Sequence, residues 1–230
     1  MISELKEAIL HYIPVFPIVL FVLSRYKMKI YDLKLYSTGR VYEGNGDSNL
    51  HFLACVVYTF LITGMVSAAG IPSVIDFGFR INYFNFNFIP FAVNGVITNV
   101  LNVIMFVPFG FMLPIMWNEF ESFKKTVEAG FLFSLFIEIT QMFNFRATDV
   151  DDLMMNTLGT VIGFGIYYIL FVKIFKNKSG KYSFRSKFRM GSSYKSVFYS
   201  GSEYVDLTVL TIVSYAIIGS LVRNYCFLFI

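Results

Sequence analysis

The sequence predicts an all-α, polytopic membrane helix bundle of about six transmembrane helices, with an interfacial or re-entrant segment near residues 73–95. Three observations lead to this fold class. The 230-residue chain is 56% hydrophobic and only 15% charged, whereas a soluble domain is about 45–50% apolar and about 25% charged. Six stretches of the chain are apolar enough to cross a bilayer. The Lys and Arg residues lie in alternate connections between these stretches.

The six apolar stretches define the predicted helices. A bilayer core of about 30 Å requires roughly 20 mostly apolar residues in a helix. The stretches are residues 8–24, 51–70, 98–117, 127–145, 157–175 and 204–222. The first is short and contains Pro14 and Pro17, which a membrane helix tolerates when neighbouring groups satisfy the freed carbonyl groups. The N-terminus lacks the basic region of a secretory signal, so we expect this stretch to remain in the mature protein.

The basic residues predict the orientation, because Lys and Arg accumulate in cytoplasmic loops. The connections after helices one, three and five hold most of the 19 basic residues. These connections are therefore predicted to lie in the cytoplasm, with both termini outside. The same distribution explains the net charge of +4 better than nucleic-acid binding does.

Cysteine and histidine are rare in this chain. On the predicted topology Cys55 and Cys226 lie near opposite membrane faces, so we expect no disulfide. His11 and His51 also lie near opposite faces. We interpret both histidines as interfacial residues without a chemical role.

The helices and loops divide the chain into four predicted segments. Residues 1–49 hold the first helix and a basic cytoplasmic loop, and residues 50–175 form the transmembrane core. Residues 176–203 form a basic cytoplasmic linker, and residues 204–230 form the C-terminal helix. In the core, aromatic residues alternate with asparagine from Phe84 to Phe88. This pattern favours a segment in the outer interface or a re-entrant turn, with a short β-ribbon or ordered loop on the helix ends as the alternative.

Polar side chains in two of the predicted helices lie at similar depth. Glu138 and Gln141 are three residues apart in helix four, and Asn99 and Asn102 are three apart in helix three, so each pair shares a helix face. At 1.5 Å per residue, Glu138 lies roughly 10 Å below the outer boundary and Asn102 about 6 Å below it. Ionisable groups at such depth are costly and mark functional sites by default.

Two further polar residues complete the predicted pocket. Asn156 opens helix five at the level of Asn102, and Arg146 lies directly above, in the preceding loop. We interpret the group as an outward-facing ligand pocket for a lipid headgroup, an envelope precursor or a small polar ligand. The alternative is that amide side chains only hold the helices together, at about 1 kcal/mol or less each. The predicted pocket residues are Asn102, Glu138, Gln141, Arg146, Asp149, Asp152 and Asn156.

The aspartates before helix five have two interpretations. Thr148 with Asp151, or Asp149 with Asp152, has the spacing of a helix capping box, and acidic residues in a first turn complement the helix dipole. Alternatively, the carboxylates could bind Mg²⁺ or Ca²⁺. Structural capping is the favoured interpretation, and neither a metal nor a cofactor is expected.

Catalysis and transport are the alternative functions. Glu138 or Asp152 could act as an acid or base on lipid or isoprenoid phosphates, although the sequence contains no Gly-x-Ser-x-Gly, His-Glu-x-x-His or P-loop motif. In a transporter, Pro108 and Pro114 would act as hinges in helix three. We therefore expect a binding protein rather than an enzyme.

Glycine spacing in helix five predicts close helix packing. Gly159 and Gly163 form a Gly-x-x-x-Gly pattern, which favours tight contact between membrane helices. We expect this contact within the chain, with a homo-oligomer through the same face as the alternative.

Three motifs of the core resemble the VanZ-like family. Residues 87–91, Asn-Phe-Ile-Pro-Phe, are similar to the family's Asn-Leu-Ile-Pro-Phe motif. Residues 102–111 resemble its Asn-x-x-x-Phe-x-Pro-x-Gly-Phe helix. The third block resembles the family's second polar motif and consists of Glu138, Gln141, Arg146, Asp149, Asp152, Asn156 and Gly159. Together the motifs cover about residues 80–175.

The resemblance implies a protein of the bacterial cytoplasmic membrane. The family takes its name from an accessory factor of glycopeptide resistance that is associated with teicoplanin, and it supplies no catalytic residues to transfer. We therefore expect a non-enzymatic envelope factor that binds a membrane lipid or cell-wall precursor, with no nucleic-acid partner.

Overall fold

The part of the chain that the structure describes is almost entirely helical, with two strands of two residues each. This computed structural model describes residue 24 and residues 46–69, 86–87, 95–141, 148–174 and 203–226. In chain order the elements are α1 (Gly46–Ala69), β1 (Phe86–Asn87), α2 (Val96–Met116), a 3₁₀ turn (Asn118–Glu121), α3 (Phe123–Gln141), β2 (Thr148–Asp149), α4 (Val150–Tyr167), a π-helical segment (Tyr168–Ile174) and α5 (Glu203–Cys226). The predicted all-α membrane bundle is confirmed.

Three of the described helices have the length and composition of membrane spans. They cover His51–Ala69, Val96–Met116 and Val150–Lys173 and correspond to the predicted second, third and fifth helices. α3 and α5 occupy the predicted fourth and sixth positions, and their crossing of the membrane stays a prediction. The predicted first helix lies outside the described residues except for Ser24, as do the basic loop 25–45 and nearly all of the linker 176–203. The count of six and the orientation therefore remain predictions.

α2 and α4 expose many apolar side chains, as a lipid environment requires. α2 exposes Val96, Ile97, Val100, Leu101 and Ile104. On α4 the exposed residues include Leu158, Ile162 and Ile166, spaced along one face. Apolar side chains face outward, and many of the buried side chains are polar. This distribution is typical of a protein in contact with lipid.

The chain forms two compact units. The first contains residues Met1–Ala68 and Ser186–Ile230, and the second contains Ala69–Arg185. In the first unit, α1 and α5 are joined by a hydrogen bond of 2.8 Å between the hydroxyl groups of Tyr58 and Thr208. The second unit contains α2, α3 and α4 together with both β-strands. The four predicted segment boundaries stay a prediction.

α4 packs against α2 with backbone touching backbone. A Cβ atom added at Gly159 would overlap the carbonyl oxygen of Val103, and one added at Gly163 would overlap that of Val107. Small residues at these two positions are therefore required for the observed approach. The Gly-x-x-x-Gly face is thus covered by a helix of the same chain, and homo-oligomerisation through it stays a prediction.

Thr160 lies where α2, α3 and α4 meet. A Cβ atom at Gly110 of α2 would overlap the Thr160 backbone, and one at Gly130 of α3 would overlap the Thr160 side chain. Thr160 is fully buried, and its hydroxyl donates a 3.1 Å hydrogen bond to the carbonyl oxygen of Asn156. Its polar group is thereby satisfied inside its own helix.

An aromatic cluster fills the interior next to this contact. Phe106 and Phe109 of α2 are fully buried, with ring centroids 5.9 Å apart. Phe133 of α3 stacks on Phe109 at 5.3 Å. Offset and edge contacts of this kind add about 0.5–1.5 kcal/mol each to the burial of the rings. α2 continues through Pro108 and Pro114 without a break in the helix.

The segment before α2 pairs with the segment before α4. β1 and β2 form a two-stranded parallel sheet in which Phe86 lies opposite Thr148 and Asn87 opposite Asp149. Short β-structure, one of the two alternatives for this region, is what the structure has at residues 86–87. Most of the remainder of 73–95 lies outside the described residues, so its interfacial or re-entrant placement stays a prediction.

We expect Gly163→Ala to destabilise the second unit, because the new methyl group would meet the backbone of Val107 and Phe111. Overpacking of this kind costs about 1–3 kcal/mol. Gly165→Ala is the matched control, since no atom lies within 4 Å of a Cβ atom added there. It should leave stability unchanged or raise it by up to about 1 kcal/mol through helix propensity. Unfolding of the two variants in detergent, followed by circular dichroism, measures the difference, and equal midpoints would contradict the packing described here.

Candidate functional site

α2 and α4 are joined by a hydrogen bond between two predicted pocket residues. The amide nitrogen Nδ2 of Asn102 donates to Oδ1 of Asp152 at 2.6 Å. Asp152 lies in the first turn of α4, where a carboxylate also complements the helix dipole. The sequence predicts Asn102 opposite Glu138 and Gln141. The contact that the structure assigns to Asn102 is with Asp152, and its pairing with Glu138 stays a prediction.

α3 and α4 are joined one turn further along α4. The amide nitrogen Nδ2 of Asn156 donates to the hydroxyl oxygen of Ser134 at 2.9 Å, and both side chains are buried. Sequence reasoning missed Ser134, because a lone serine in an apolar helix gives no signal of its own. Its position four residues before Glu138 places the two side chains on the same helix face.

Glu138 and Gln141 are both buried, as the sequence predicts for residues of a polar pocket. Glu138 is only 3% exposed. Its neighbours in the helix include phenylalanine and isoleucine, so this carboxyl group lies in an apolar stretch. The amide nitrogen Nε2 of Gln141 donates to the carbonyl oxygen of Ala69 at 2.7 Å. Ala69 and Gln141 belong to the same compact unit. The last turn of α3 is therefore fixed by a side-chain bond to a backbone carbonyl.

Three buried amide oxygens have no hydrogen-bond partner among the residues that the structure describes. They are Oδ1 of Asn99, Oε1 of Gln141 and Oδ1 of Asn156. An unsatisfied buried acceptor costs about 1–3 kcal/mol, so such atoms in a native protein point to a water or ligand that supplies the donor. Gln141 and Asn156 are predicted pocket residues, and Asn99 is the residue predicted to share a helix face with Asn102.

The aspartates have different positions around the start of α4. The helix begins at Val150, so Asp149 occupies the position just before it, in β2. Asp151 and Asp152 lie in the first turn, and Asp151 is fully buried. This order has the positions of one of the two predicted arrangements, in which Asp149 precedes the helix and Asp152 takes the third helical position, and the capping role itself stays a prediction. The side chain of Asp149 and the whole of Arg146 lie outside the described residues.

The three sequence motifs converge on the start of α4. The first motif reaches it through the backbone pairing of Asn87 with Asp149. The second reaches it through the hydrogen bond from Asn102 to Asp152. The third supplies Asp152 in the first turn of α4 and Asn156 one turn after Asp152. Motifs that are separated in sequence by ten or more residues thus surround one polar region of the second unit.

A second polar cluster lies in the first unit and was missed by sequence reasoning. Nε2 of His51 lies 3.1 Å from both carboxylate oxygens of Glu203 and 3.4 Å from the sulfur atom of Cys55. His51 was interpreted as a residue without a chemical role, whereas the structure gives it two polar neighbours. The spacing His51-x-x-x-Cys55 was the available signal, because residues four apart share a helix face. Cys55 is a free thiol.

The comparisons with known proteins agree with the three motifs. A family model described as VanZ/LLP1 matches residues 50–172, which is more than half of the chain. A curated protein named Protein VanZ, from Enterococcus faecium, is 35% identical over 83 residues. The match covers 35% of this chain and 51% of that protein, so the chain spans about half the length of this relative. No solved structure matches the chain.

The matched range begins just before the predicted second span and ends in the π-helical segment. It therefore contains the whole polar region around the start of α4, together with the motifs that carry the resemblance. From this coverage, the chain belongs to the VanZ/LLP1 family.

Proposed function

We propose that this protein is a non-enzymatic envelope factor that binds a lipid-linked or cell-wall component in the polar region at the start of α4. The bacterial cytoplasmic membrane is the proposed location, with the pocket open to the outer side. The unpartnered acceptor oxygens of Asn99, Gln141 and Asn156 are the observation that carries the proposal. They supply hydrogen-bonding capacity that the described part of the protein leaves unused.

The chemistry of these groups selects a kind of ligand. Amide oxygens accept hydrogen bonds, and the carboxylates nearby, Glu138, Asp151 and Asp152, carry negative charge when ionised. A ligand that matches such a surface presents O–H and N–H donors, as the sugar hydroxyls, amides and amino groups of cell-wall precursors do. Each donor would remove the cost of a buried unpaired acceptor. Arg146, above the predicted pocket, would add one cationic group for a carboxylate or phosphate of the same ligand.

The family relationship connects the proposed binding with antibiotic resistance. The relative from Enterococcus faecium is a VanZ protein, and the family resemblance implies a link to teicoplanin resistance. We extend this to the present chain as part of the proposal. A membrane protein that holds a cell-wall component near the outer surface would change the access of a glycopeptide to that component.

Catalysis on isoprenoid phosphates is the less favoured alternative. The first turn of α4 contains Asp151 and Asp152. An anionic phosphate would be repelled by ionised carboxylates, so it would need a bridging cation or Arg146 to approach them. Asp152 is also hydrogen-bonded to Asn102, which occupies one oxygen of a candidate acid or base. Transport with Pro108 and Pro114 as hinges is supported by no contact among the described residues.

We expect Glu138→Gln and Arg146→Ala to reduce function while the protein still folds. Loss of a hydrogen bond to a charged group costs about 1.5–3 kcal/mol, which is a change of roughly tenfold or more in affinity. Glycopeptide susceptibility and envelope integrity, measured in a strain that depends on this protein, report the loss. The matched control is Glu128→Gln, which removes the same charge from an exposed position of the same helix and should change neither property.

Normal expression of both variants together with an unchanged susceptibility and envelope phenotype would contradict the pocket. A direct assay separates ligand classes. The full chain is placed in lipid nanodiscs, and its affinity is measured for a polyprenyl pyrophosphate with and without an attached sugar–peptide group. Preferential binding of the sugar–peptide form supports the proposal. Equal binding of both forms, or turnover of either, would favour the enzyme instead.

We expect Asn102 and Asp152 to be energetically coupled. Hydrogen bonds between membrane helices contribute about 0.6 kcal/mol on average and at most about 1.7 kcal/mol. A double-mutant cycle with Asn102→Ala and Asp152→Ala should therefore give a coupling energy of about 1 kcal/mol in the free energy of unfolding. The control cycle pairs Asn102→Ala with Glu128→Gln and should be additive within about 0.5 kcal/mol. Additivity in the first cycle would show that the bond contributes nothing to the joining of α2 and α4.

A further inference from the structure

The polar cluster of the first unit has the composition of a transition-metal site. His51 and Cys55 lie one turn apart on α1, and Glu203 is the first residue of α5. One ligand atom from each residue, a ring nitrogen, a sulfur and a carboxylate oxygen, lies within 4.8 Å of both others. Imidazole, thiolate and carboxylate are the three protein ligands of Zn²⁺.

The two distances from His51 to the other ligand atoms are close to those around a tetrahedral ion. Zn²⁺ binds histidine nitrogen and carboxylate oxygen at about 2.0–2.1 Å and cysteine sulfur at about 2.3 Å. In a regular tetrahedron, bonds of these lengths place nitrogen and oxygen about 3.3 Å apart and nitrogen and sulfur about 3.6 Å apart. The corresponding distances are 3.1 Å from His51 to Glu203 and 3.4 Å from His51 to Cys55. Both distances are within about 0.2 Å of the tetrahedral values, and the sulfur atom and the carboxylate oxygen lie within 4.8 Å of each other.

The surroundings of the cluster also suit a bound ion. His51 and Cys55 are only 2% and 4% exposed, so their ligand atoms are shielded from bulk water. The side chain of Glu203 is 12% exposed, which leaves an approach for an ion and for a water molecule as fourth ligand. The hydrogen bond between Tyr58 and Thr208, about one turn further along both helices, holds α1 and α5 in register.

We propose that His51, Cys55 and Glu203 bind one Zn²⁺ ion, with a water molecule in the fourth position. The ion would replace the protons that otherwise lie between these side chains, because zinc binds the thiolate and the neutral imidazole. This site departs from the sequence-based expectation of no metal. It uses no residue of the proposed pocket, so the two proposals stand or fall separately. On the predicted orientation it lies at the cytoplasmic boundary, where thiols stay reduced.

The first measurement uses the full chain, purified in detergent with an affinity tag that contains no histidine. Elemental analysis should find about one zinc per chain after dialysis against metal-free buffer, a stoichiometry set by three protein ligands converging on one position. Loading the metal-free protein with Co²⁺ should produce a thiolate-to-cobalt charge-transfer band together with the visible bands of a tetrahedral ion. Absence of both zinc and the charge-transfer band in the unmodified protein would overturn the proposal, and the cluster would then be a hydrogen-bonded contact between two helices.

The second measurement compares matched substitutions. The chain has two cysteines and two histidines, so the cysteine ligand and the histidine ligand each have a control of their own type. Cys55→Ala and His51→Ala should weaken zinc binding by roughly 100-fold or more, since each removes a direct ligand. Cys226→Ala and His11→Ala should leave the affinity unchanged. Zinc competition with a chromogenic chelator measures all four variants. Unchanged affinity in Cys55→Ala, or equal losses in Cys226→Ala, would contradict the site.

A thermal measurement keeps the test decisive if a ligand variant folds poorly. Zinc added to the metal-free wild-type protein should raise its unfolding midpoint, because an ion that binds only the folded state stabilises it by mass action. Mg²⁺ at the same concentration should have no effect, since a thiolate and an imidazole are poor ligands for a hard cation. Equal shifts with both ions would contradict a site built from these three residues.

Discussion

The close contact between α2 and α4 is the constraint on which the described core depends. Gly159 and Gly163 let the two backbones touch, and this approach brings the start of α4 to the level of Asn102 on α2. The hydrogen bond from Asn102 to Asp152 is a consequence of that approach. A bulkier residue at either glycine would move α4 outward, and the polar groups of the two helices would then face lipid or each other at a longer distance.

Thr160 extends the same constraint to α3. Its contacts with Gly110 and Gly130 place all three helices around one residue, and Asn156 lies one turn before it, bonded to Ser134. The arrangement puts polar side chains inside the bundle and aliphatic ones outside. In water such a molecule would expose too much apolar surface, whereas in a bilayer the same surface contacts lipid.

Sequence patterns predicted the parts of this structure that depend on position within one helix. The positions of α1, α2 and α4 follow from apolar length, and Glu138 and Gln141 share a buried face because they are three residues apart. The partners between helices could not be predicted in the same way. Ser134 meets Asn156 only because of how α3 is rotated and shifted along α4. The contact of His51 with Glu203 likewise depends on how α1 and α5 lie against each other, which the spacing of residues within one helix does not indicate.

The parallel pairing of β1 with β2 has a consequence for how the protein is made. β1 leaves the ribosome first, and α2 and α3 must both be synthesised before β2 emerges to pair with it. Until then the backbone groups of β1 lack their final partners, and closing so long a loop carries an entropic cost. The polar region around the start of α4 is therefore completed late in synthesis, after α2 and α3 have both been made. A nascent chain arrested before residue 148 would hold the first two motifs without the strand and helix that join them.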